Sequence, residues 1–372
     1  MAQAVLKKAA PGDVAALGRL SDRVFRAGQE PGTAMPVEFA PMFSADNARH
    51  LYFAEDGGEP VSLVGMMPGA VHINGVRVTT ASMGSVCTLE AYRRQHLVSR
   101  MIEQVIADFT PDASVLLVSG GLSIYRRVGC VDFGEWLSVL LEGPVADSPV
   151  CRVEEWREPA GHPALFALYS TECCRFHRTP AGMAELLGTL RAPRFRDGKV
   201  PPRLLVARQH GEIVGYAVAL LHRHWGGDTA HLLEWAGARS ALPHLADAAR
   251  RSFGAERAHF YAAPADAELC ALLPELPATL SHANNEGTIR VLNPLRLLRE
   301  IGPLIEQAFG ARLELPQTGE EEWYVHWEPV AGNPLPAGEG NRLSGYAELT
   351  SWFFEREGMN LPFPRADDLN YI

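Results

Sequence analysis

Hydrophobic positions along the first 145 residues switch between a period of two and a helical period, which predicts strands alternating with helices. Ala4–Lys7 reads as a short strand. Asp13, before an apolar run through Leu17, Leu20 and Phe25, reads as a helix N-cap. Leu51–Ala54 and Val61–Met66 flank Glu55-Asp56-Gly57-Gly58, a hairpin signal, and Asn74-Gly75 separates Ala70–Ile73 from a long strand over Val76–Thr88. Leu97, Met101, Ile102, Val105, Ile106 and Phe109 then recur at helical spacing, with Arg100, Glu103 and Asp108 on the other side. The wholly apolar Val115–Val118 fits a strand buried on both faces.

Part of this pattern returns after a shift of 153 residues: HLYFAEDGGEPV from His50 aligns with RLLVARQHGEIV from Arg203. Ala54 falls on Ala207, Gly58 on Gly211, Glu59 on Glu212, Val61 on Val214, and Gly84 on Gly237. Two related units are expected. From about Val291 the pattern changes again. Leu295, Leu298, Ile301, Ile305 and Phe309 mark a helix, Trp323–Trp327 a strand and Leu343–Phe354 a second helix, with the Pro/Gly loop AGNPLPAGEGN between strand and helix. The expected organisation is α/β (α+β), with domains at 1–145, 150–290 and 291–372.

Composition acts mainly by exclusion. A chain of 372 residues with 47% hydrophobic and 21% charged positions can bury sizeable cores, so disorder is excluded. The longest apolar stretches, such as Ser114–Val118, fall far short of the roughly 20 residues of a membrane span. The opening MAQAVLKKAAPGD lacks the apolar run of a secretory signal, and a cytoplasmic protein is expected. A net charge of −10 argues against a general nucleic-acid binder. The cysteines at 87, 130, 151, 173, 174 and 270 lack paired CxxC spacing, and no metal is expected. No HExxH, GxSxG or GxxxxGK[ST] element occurs, and Gly338, Gly340 and Gly345 do not form GxGxxG.

The candidate chemistry lies in VCTLEAYRRQHLVSRMIEQVI, residues 86–106. A strand ending at Thr88, a basic loop at Arg93-Arg94-Gln95 and a helix starting near Leu97 aim backbone N–H groups and the helix dipole at one spot. Such a place suits a pyrophosphate.

This segment resembles the acetyl-CoA loop of GNAT acetyltransferases, V-x-[VT]-x-P-x-[YH]-R-[RG]-x-G-x-[GA]. Downstream, VLLVSGGLSIYRRVGCVDFG, residues 115–134, resembles their next strand and the helix bearing Y-x-x-x-G-[FY]. The tandem arrangement resembles the Eis-like acetyltransferases, which implies two GNAT-like mixed-sheet domains, the second degenerate, and a small sterol-carrier-like C-terminal domain. The resemblance implies acetyl-CoA contacts at Val86, Cys87, Thr88, Arg93, Arg94, Gln95, His96, Leu97, Val98, Ser99, Ser119 and Gly120. It gives Tyr125 the role of general acid and brings the terminal carboxylate of Ile372 to the active site as candidate base. The tail LPFPRADDLNYI, stiffened by Pro362 and Pro364 and ending on Tyr371-Ile372, suits docking. In the second repeat the corresponding ARSALPHLADAARR lacks an R-x-x-G element, so no cofactor is expected there.

Several positions depart from the family pattern. His96 stands where the family has glycine, Val98 where it has a small residue, and Cys130 where an aromatic follows Gly129. A β-carbon at position 96 either obstructs the phosphate approach or, turned outward, lets the imidazole meet a phosphate or the pantetheine arm. The acceptor pocket is expected along Ala34–Phe43, with Phe39, Phe43 and Met83 as walls or as core. The expected activity is acetyl transfer to a primary amine of a small molecule or peptide. A longer acyl-CoA, a non-catalytic ligand-binding or scaffold role and homo-oligomerisation stay open.

Overall fold

The computed structural model describes residues 4–146, 148, 150–157, 163–191, 200–222, 228–330, 340–355 and 359–366. They divide into two compact units, the first comprising residues 4–134 with Glu286–Pro364 and the second Glu135–Asn285 with Arg365 and Ala366. The first unit begins with β1 (Val5–Lys8), α1 (Val14–Phe25), α2 (Met35–Glu38), β2 (Leu51–Asp56), β3 (Glu59–Ile73), β4 (Val76–Thr88), α3 (Leu97–Phe109), β5 (Val115–Val118) and α4 (Ser123–Arg126). The second contains β6 (Glu135–Leu141), β7 (Cys151–Glu155), α5 (Pro163–Thr171), β8 (Cys174–Phe176), α6 (Pro180–Gly188), β9 (Arg203–Gln209), β10 (Glu212–His222), β11 (Thr229–Gly237), α7 (Leu242–Phe253), β12 (Arg257–Ala262), α8 (Ala267–Leu272) and β13 (Ala278–Asn284). The chain then returns to the first unit with β14 (Thr288–Val291), α9 (Pro294–Phe309), β15 (Ala311–Glu314), β16 (Gln317–Gly319), β17 (Glu322–Tyr324), β18 (His326–Pro329), β19 (Arg342–Ser344) and α10 (Gly345–Phe354).

The main sheet of the first unit runs β1-β2-β3-β4-β5-β14. Both predicted hairpins form. Gly57 and Gly58 (φ 59° and 87°) close one, and Asn74 and Gly75 (φ 47° and 87°) the other, as two-residue turns with positive φ at both positions require. The two strands expected at Val61–Met66 and Ala70–Ile73 are one, because pairing with β4 continues through Met67↔Ser82, Pro68↔Ala81 and Gly69↔Thr80. Asp13 precedes α1 as expected but does not cap it. Its carboxylate turns back to accept from the Ala10 amide at 2.8 Å across a short 3₁₀ turn.

One face of this sheet packs Met83, Leu116 and Val118 against Met101, Ile102 and Val105 of α3. The other packs Phe53 and Leu63 against Leu17 and Leu20 of α1, together with Phe39 and Phe43. Phe39, Phe43 and Met83 are thus core residues. The C-terminal segment belongs to this unit's packing, since β14 pairs antiparallel with β5 from Thr288↔Val118 to Val291↔Val115. The stretch expected as a strand over Trp323–Trp327 divides between two small sheets, β17 with β16 and β19, and β18 with β15.

The second unit has the strand order β13-β6-β12-β11-β10-β9-β7. The repeat read in the sequence is structural here. His210 and Gly211 (φ 50° and 89°) form the turn between β9 and β10, and β11–α7–β12 is a parallel crossover like β4–α3–β5.

The start of β14 tolerates no side chain. Gly287 has φ 78°, and a Cβ there would stand 2.0 Å from the Val118 carbonyl oxygen. Gly287→Ala is therefore expected to destabilise the first unit by about 2 kcal/mol or more. Denaturant unfolding is the measurement, and a stability equal to that of the native chain would contradict the close approach.

Candidate functional site

The site begins with a defect in β4. Leu63 pairs with Cys87 and Gly65 with Gly84, so Ser85 and Val86 together face Val64, and β4 carries one extra residue. Ser85 adopts φ 52°, and its hydroxyl meets that of Ser21 on α1 at 2.6 Å in the buried interior. A bulge bends its strand. On the other side, parallel pairing with β5 covers only Thr80↔Val115 to Met83↔Val118 and closes with the Ser119 amide on the Met83 carbonyl at 3.2 Å. Beyond that point β4 and β5 part. Because Cys87 pairs with Leu63 and the Leu89 amide reaches Val61 at 2.9 Å, alternation turns the Val86 and Thr88 backbone to the edge that β5 has left.

The Cys87 side chain points elsewhere. It is buried with Leu17, Phe53 and Leu63, and burial pushes its thiol up to about 12. Of the three residues expected on this strand, Cys87 contributes packing while Val86 and Thr88 front the gap.

After β4 comes a 3₁₀ turn at Glu90–Tyr92, followed by the start of α3. Arg94 (φ 64°) and His96 (φ 58°) both adopt the left-handed conformation, and His96 is the N-cap. Its side chain makes no capping hydrogen bond, so the first amides of α3 are not satisfied by their own cap. His96 therefore occupies a position whose backbone explains the family's glycine, and histidine is among the side chains that tolerate it. The imidazole is exposed. Thr88, Tyr92, Arg93, Arg94, Gln95, His96, Leu97, Val98 and Ser99 line a groove of about 270 Å³ together with Ile124 and Arg127. The last two were not singled out in the sequence. Their signal was their position one before and two after Tyr125, at α4 and its C-cap.

Tyr125 is 5% exposed. Its ring packs with Met83 and Val118, the last paired residues of β4 and β5, and a Cβ on Gly120 would lie 3.4 Å from its Cε2. Ser119 and Gly120 continue β5 beneath it, and the Thr288 hydroxyl donates to the Gly120 carbonyl at 3.0 Å. Gly129, which ends the turn, has φ 85° and abuts Tyr346, 2.9 Å from where its Cβ would stand. Cys130 is buried, and burial pushes its thiol up to about 11, which makes it a packing residue at pH 7. Ile372 lies outside the described residues, as do Leu369 and Tyr371. The chain leading towards them is anchored: Phe363 is buried edge-on to Phe133 and Phe354, with ring centroids 5.6 and 5.9 Å apart.

Two buried acids near the α1–α2 loop also escaped the sequence reading. Asp22 accepts from the Gly32, Ala34 and Met35 amides at 2.6, 3.2 and 2.6 Å, and Glu38 pairs with Arg26. Both fix that loop. Among the described residues no group of three His, Cys, Asp or Glu is placed to hold a metal ion, and no helix is long and apolar enough to cross a membrane.

The site is thus a sheet whose central strands part beside a helix N-terminus. Residues 6–131 match the model described as an acetyltransferase (GNAT) domain, which supports an acyl-CoA N-acyltransferase. Solved structures with the same fold include a GCN5-related N-acetyltransferase from Anabaena variabilis, at 14% identity over 92% of this chain and 86% of that one, TM-score 0.63. Eis1 from Mycobacterium abscessus is similar at 12% identity over 95% and 89%, TM-score 0.61. A probable N-acyltransferase from Enterococcus faecalis is similar at 17% identity over 86% and 78%, TM-score 0.61. No curated protein matches the chain in sequence.

The left-handed backbone at position 96 gives a direct test. His96→Val is expected to cost about 1–2 kcal/mol, since a β-branched residue is strained there, whereas His96→Gly should cost less than about 0.5 kcal/mol. Equal stabilities of the two variants in urea unfolding would show that position 96 does not need positive φ.

Proposed function

We propose that this chain transfers the acetyl group of acetyl-CoA to a primary amine of a small molecule or peptide, in the gap between β4 and β5. The observation that carries the proposal is the joining of three features at one place: a freed strand edge, an uncapped α3 N-terminus and the arginines of the groove. Phosphate oxygens suit the α3 amides, Arg93, Arg94 and Arg127. The pantetheine arm would run along the Val86–Thr88 edge in place of the missing β5 partner, and the amides there would polarise the thioester carbonyl as an oxyanion develops.

Direct attack then needs a neutral amine and a proton for the departing thiolate. Tyr125, beside the last residue pair before the gap, is the proposed acid, and the carboxylate of Ile372 the proposed base. The first unit alone carries the cofactor in this reading. The corresponding helix α7 of the second unit carries Pro243, which has no N–H, in its first turn, and the nearby Arg239 is bound to Glu172 and Asp266.

Acetyl-CoA at 100 times its dissociation constant is expected to stabilise the chain by about 2.7 kcal/mol. Arg94→Glu should remove most of that gain by reversing charge in the groove. Absence of any stabilisation by acetyl-CoA or a longer acyl-CoA would leave a ligand-binding or scaffold protein as the better reading. A panel of amines, assayed by release of free CoA, identifies the acceptor.

Tyr125→Phe should lower amine turnover roughly 10²–10⁴-fold with CoA affinity nearly intact. Undiminished turnover, with chemistry rate-limiting, removes Tyr125 from the mechanism. Amidating Ile372 tests the base in the same assay: native turnover after amidation assigns that role elsewhere.

A further inference from the structure

Among the described residues, no side chain balances one buried cation of the first unit. Arg290 on β14 is 7% exposed, and its Nε is enclosed without a hydrogen-bond partner. Its guanidinium makes no hydrogen bond or ion pair with any other described residue. The close contact it does make is with an aromatic face, its Cζ lying 4.1 Å from the centroid of the Tyr346 ring. The second unit shows a buried arginine completed by its own chain. Arg178, also 7% exposed, stacks on Tyr169 at 4.2 Å and in addition bonds both oxygens of Glu234 at 2.9 and 2.6 Å. Burial and stacking are the same in the two cases, and the carboxylate is the difference.

Taking a guanidinium out of water is costly unless an anion or several acceptors replace the water, and a cation–π contact offsets only part of that cost. Burial holds the Arg290 pKa below that of a free guanidinium, with Tyr346, Cys130 and Glu321 opposing the shift more weakly. None of these three supplies a hydrogen-bonded counter-charge. Cys130 is held as a neutral thiol, and Glu321 acts only at a distance. Thr288, on the same sheet face as Arg290, already spends its hydroxyl proton on the Gly120 carbonyl. The planar fork of N–H groups matches two oxygens of one carboxylate or phosphate group.

We propose that Arg290 and the Tyr346 ring form an oxyanion-binding site in the first unit, one that takes the carboxylate or phosphate group of a small molecule. It shares no residue with the groove at Arg93, Arg94 and Arg127. Because Tyr346 also abuts Gly129, an occupant ties α10 and β14 to the turn that carries Tyr125.

The test is thermal unfolding of the full chain at constant ionic strength, with sodium chloride exchanged stepwise for sodium acetate in one arm and inorganic phosphate in the other. The expected result is a saturable rise in Tm in at least one arm, of roughly 3–5 °C at ten times the dissociation constant. The arm that responds identifies the planar or the tetrahedral anion. The rise persists in Arg94→Glu, which separates this site from the cofactor groove, so it stands or falls independently of CoA binding. Arg290→Met, which replaces an unbalanced buried charge by an apolar chain of similar length, should lose the rise and melt in chloride no lower than the native protein. If Arg290→Met does not fold, Tyr346→Leu serves in its place, with half-saturation shifted upward at least about threefold through loss of the stack. No rise in either arm overturns the proposal, as does an equal rise in Arg290→Met or an unshifted half-saturation in Tyr346→Leu.

Discussion

The extra residue in β4 is the constraint on which the site depends. A sheet satisfies its backbone amides by pairing, and a central strand normally pairs along both edges. Ser85 breaks that rule by adopting φ 52°, a conformation that costs a non-glycine residue about 1 kcal/mol. The buried contact with Ser21 helps to hold it, linking the bulge to α1 and therefore to the opposite face of the sheet. With the bulge in place, β4 leaves β5 after Met83, and its far end offers a backbone edge rather than a paired strand. An extended group with amide character finds hydrogen-bond partners there. In a fully paired sheet it would find none.

Charge is organised locally around that edge. The chain as a whole is acidic, at −10, while the α3 lip gathers Arg93, Arg94 and Arg127. A polyanion responds to the nearby field, because screening limits the reach of distant carboxylates to about 10 Å at 0.1 M salt. Arg126, one residue before Arg127, pairs with Asp132, so the end of α4 leaves Arg127 to the groove. His96 is compatible with this arrangement: its backbone takes the left-handed turn that starts α3, and its side chain stays in solvent.

Much of this was legible in the sequence because it rests on local rules. Gly57-Gly58 and Asn74-Gly75 specify tight hairpins, and the spacing from Leu97 to Phe109 specifies a helix, whatever the rest of the chain does. The basic loop and Tyr125 were found by likeness to a family motif, and the structure brings the loop to the gap and Tyr125 to its margin. What escaped depends on partners far away in sequence. Nothing near Asp22 reveals that it will gather three loop amides, and nothing near Asp13 that its carboxylate will turn back. The Trp323–Trp327 stretch has the composition of one strand, but its halves find different neighbours. Cys87 sits within the family motif, and only the register with Leu63 shows that it faces the core.

The internal repeat separates what the fold supplies from what a site requires. Both units build hairpin strands, a helix and a parallel return strand, and both bury an apolar helix face against the sheet. Those features follow from periodicity and turn chemistry, which the two halves share. The helix entrances differ in kind. At α3 a left-handed cap without a side-chain hydrogen bond is followed by Leu97-Val98-Ser99, each with an amide to offer. At α7 a proline takes one of those amides away, and Glu172 and Asp266 occupy the arginine beside it. The sheet and helix that both halves share follow from packing, while the two entrances differ in which amides and side chains are already engaged within the chain.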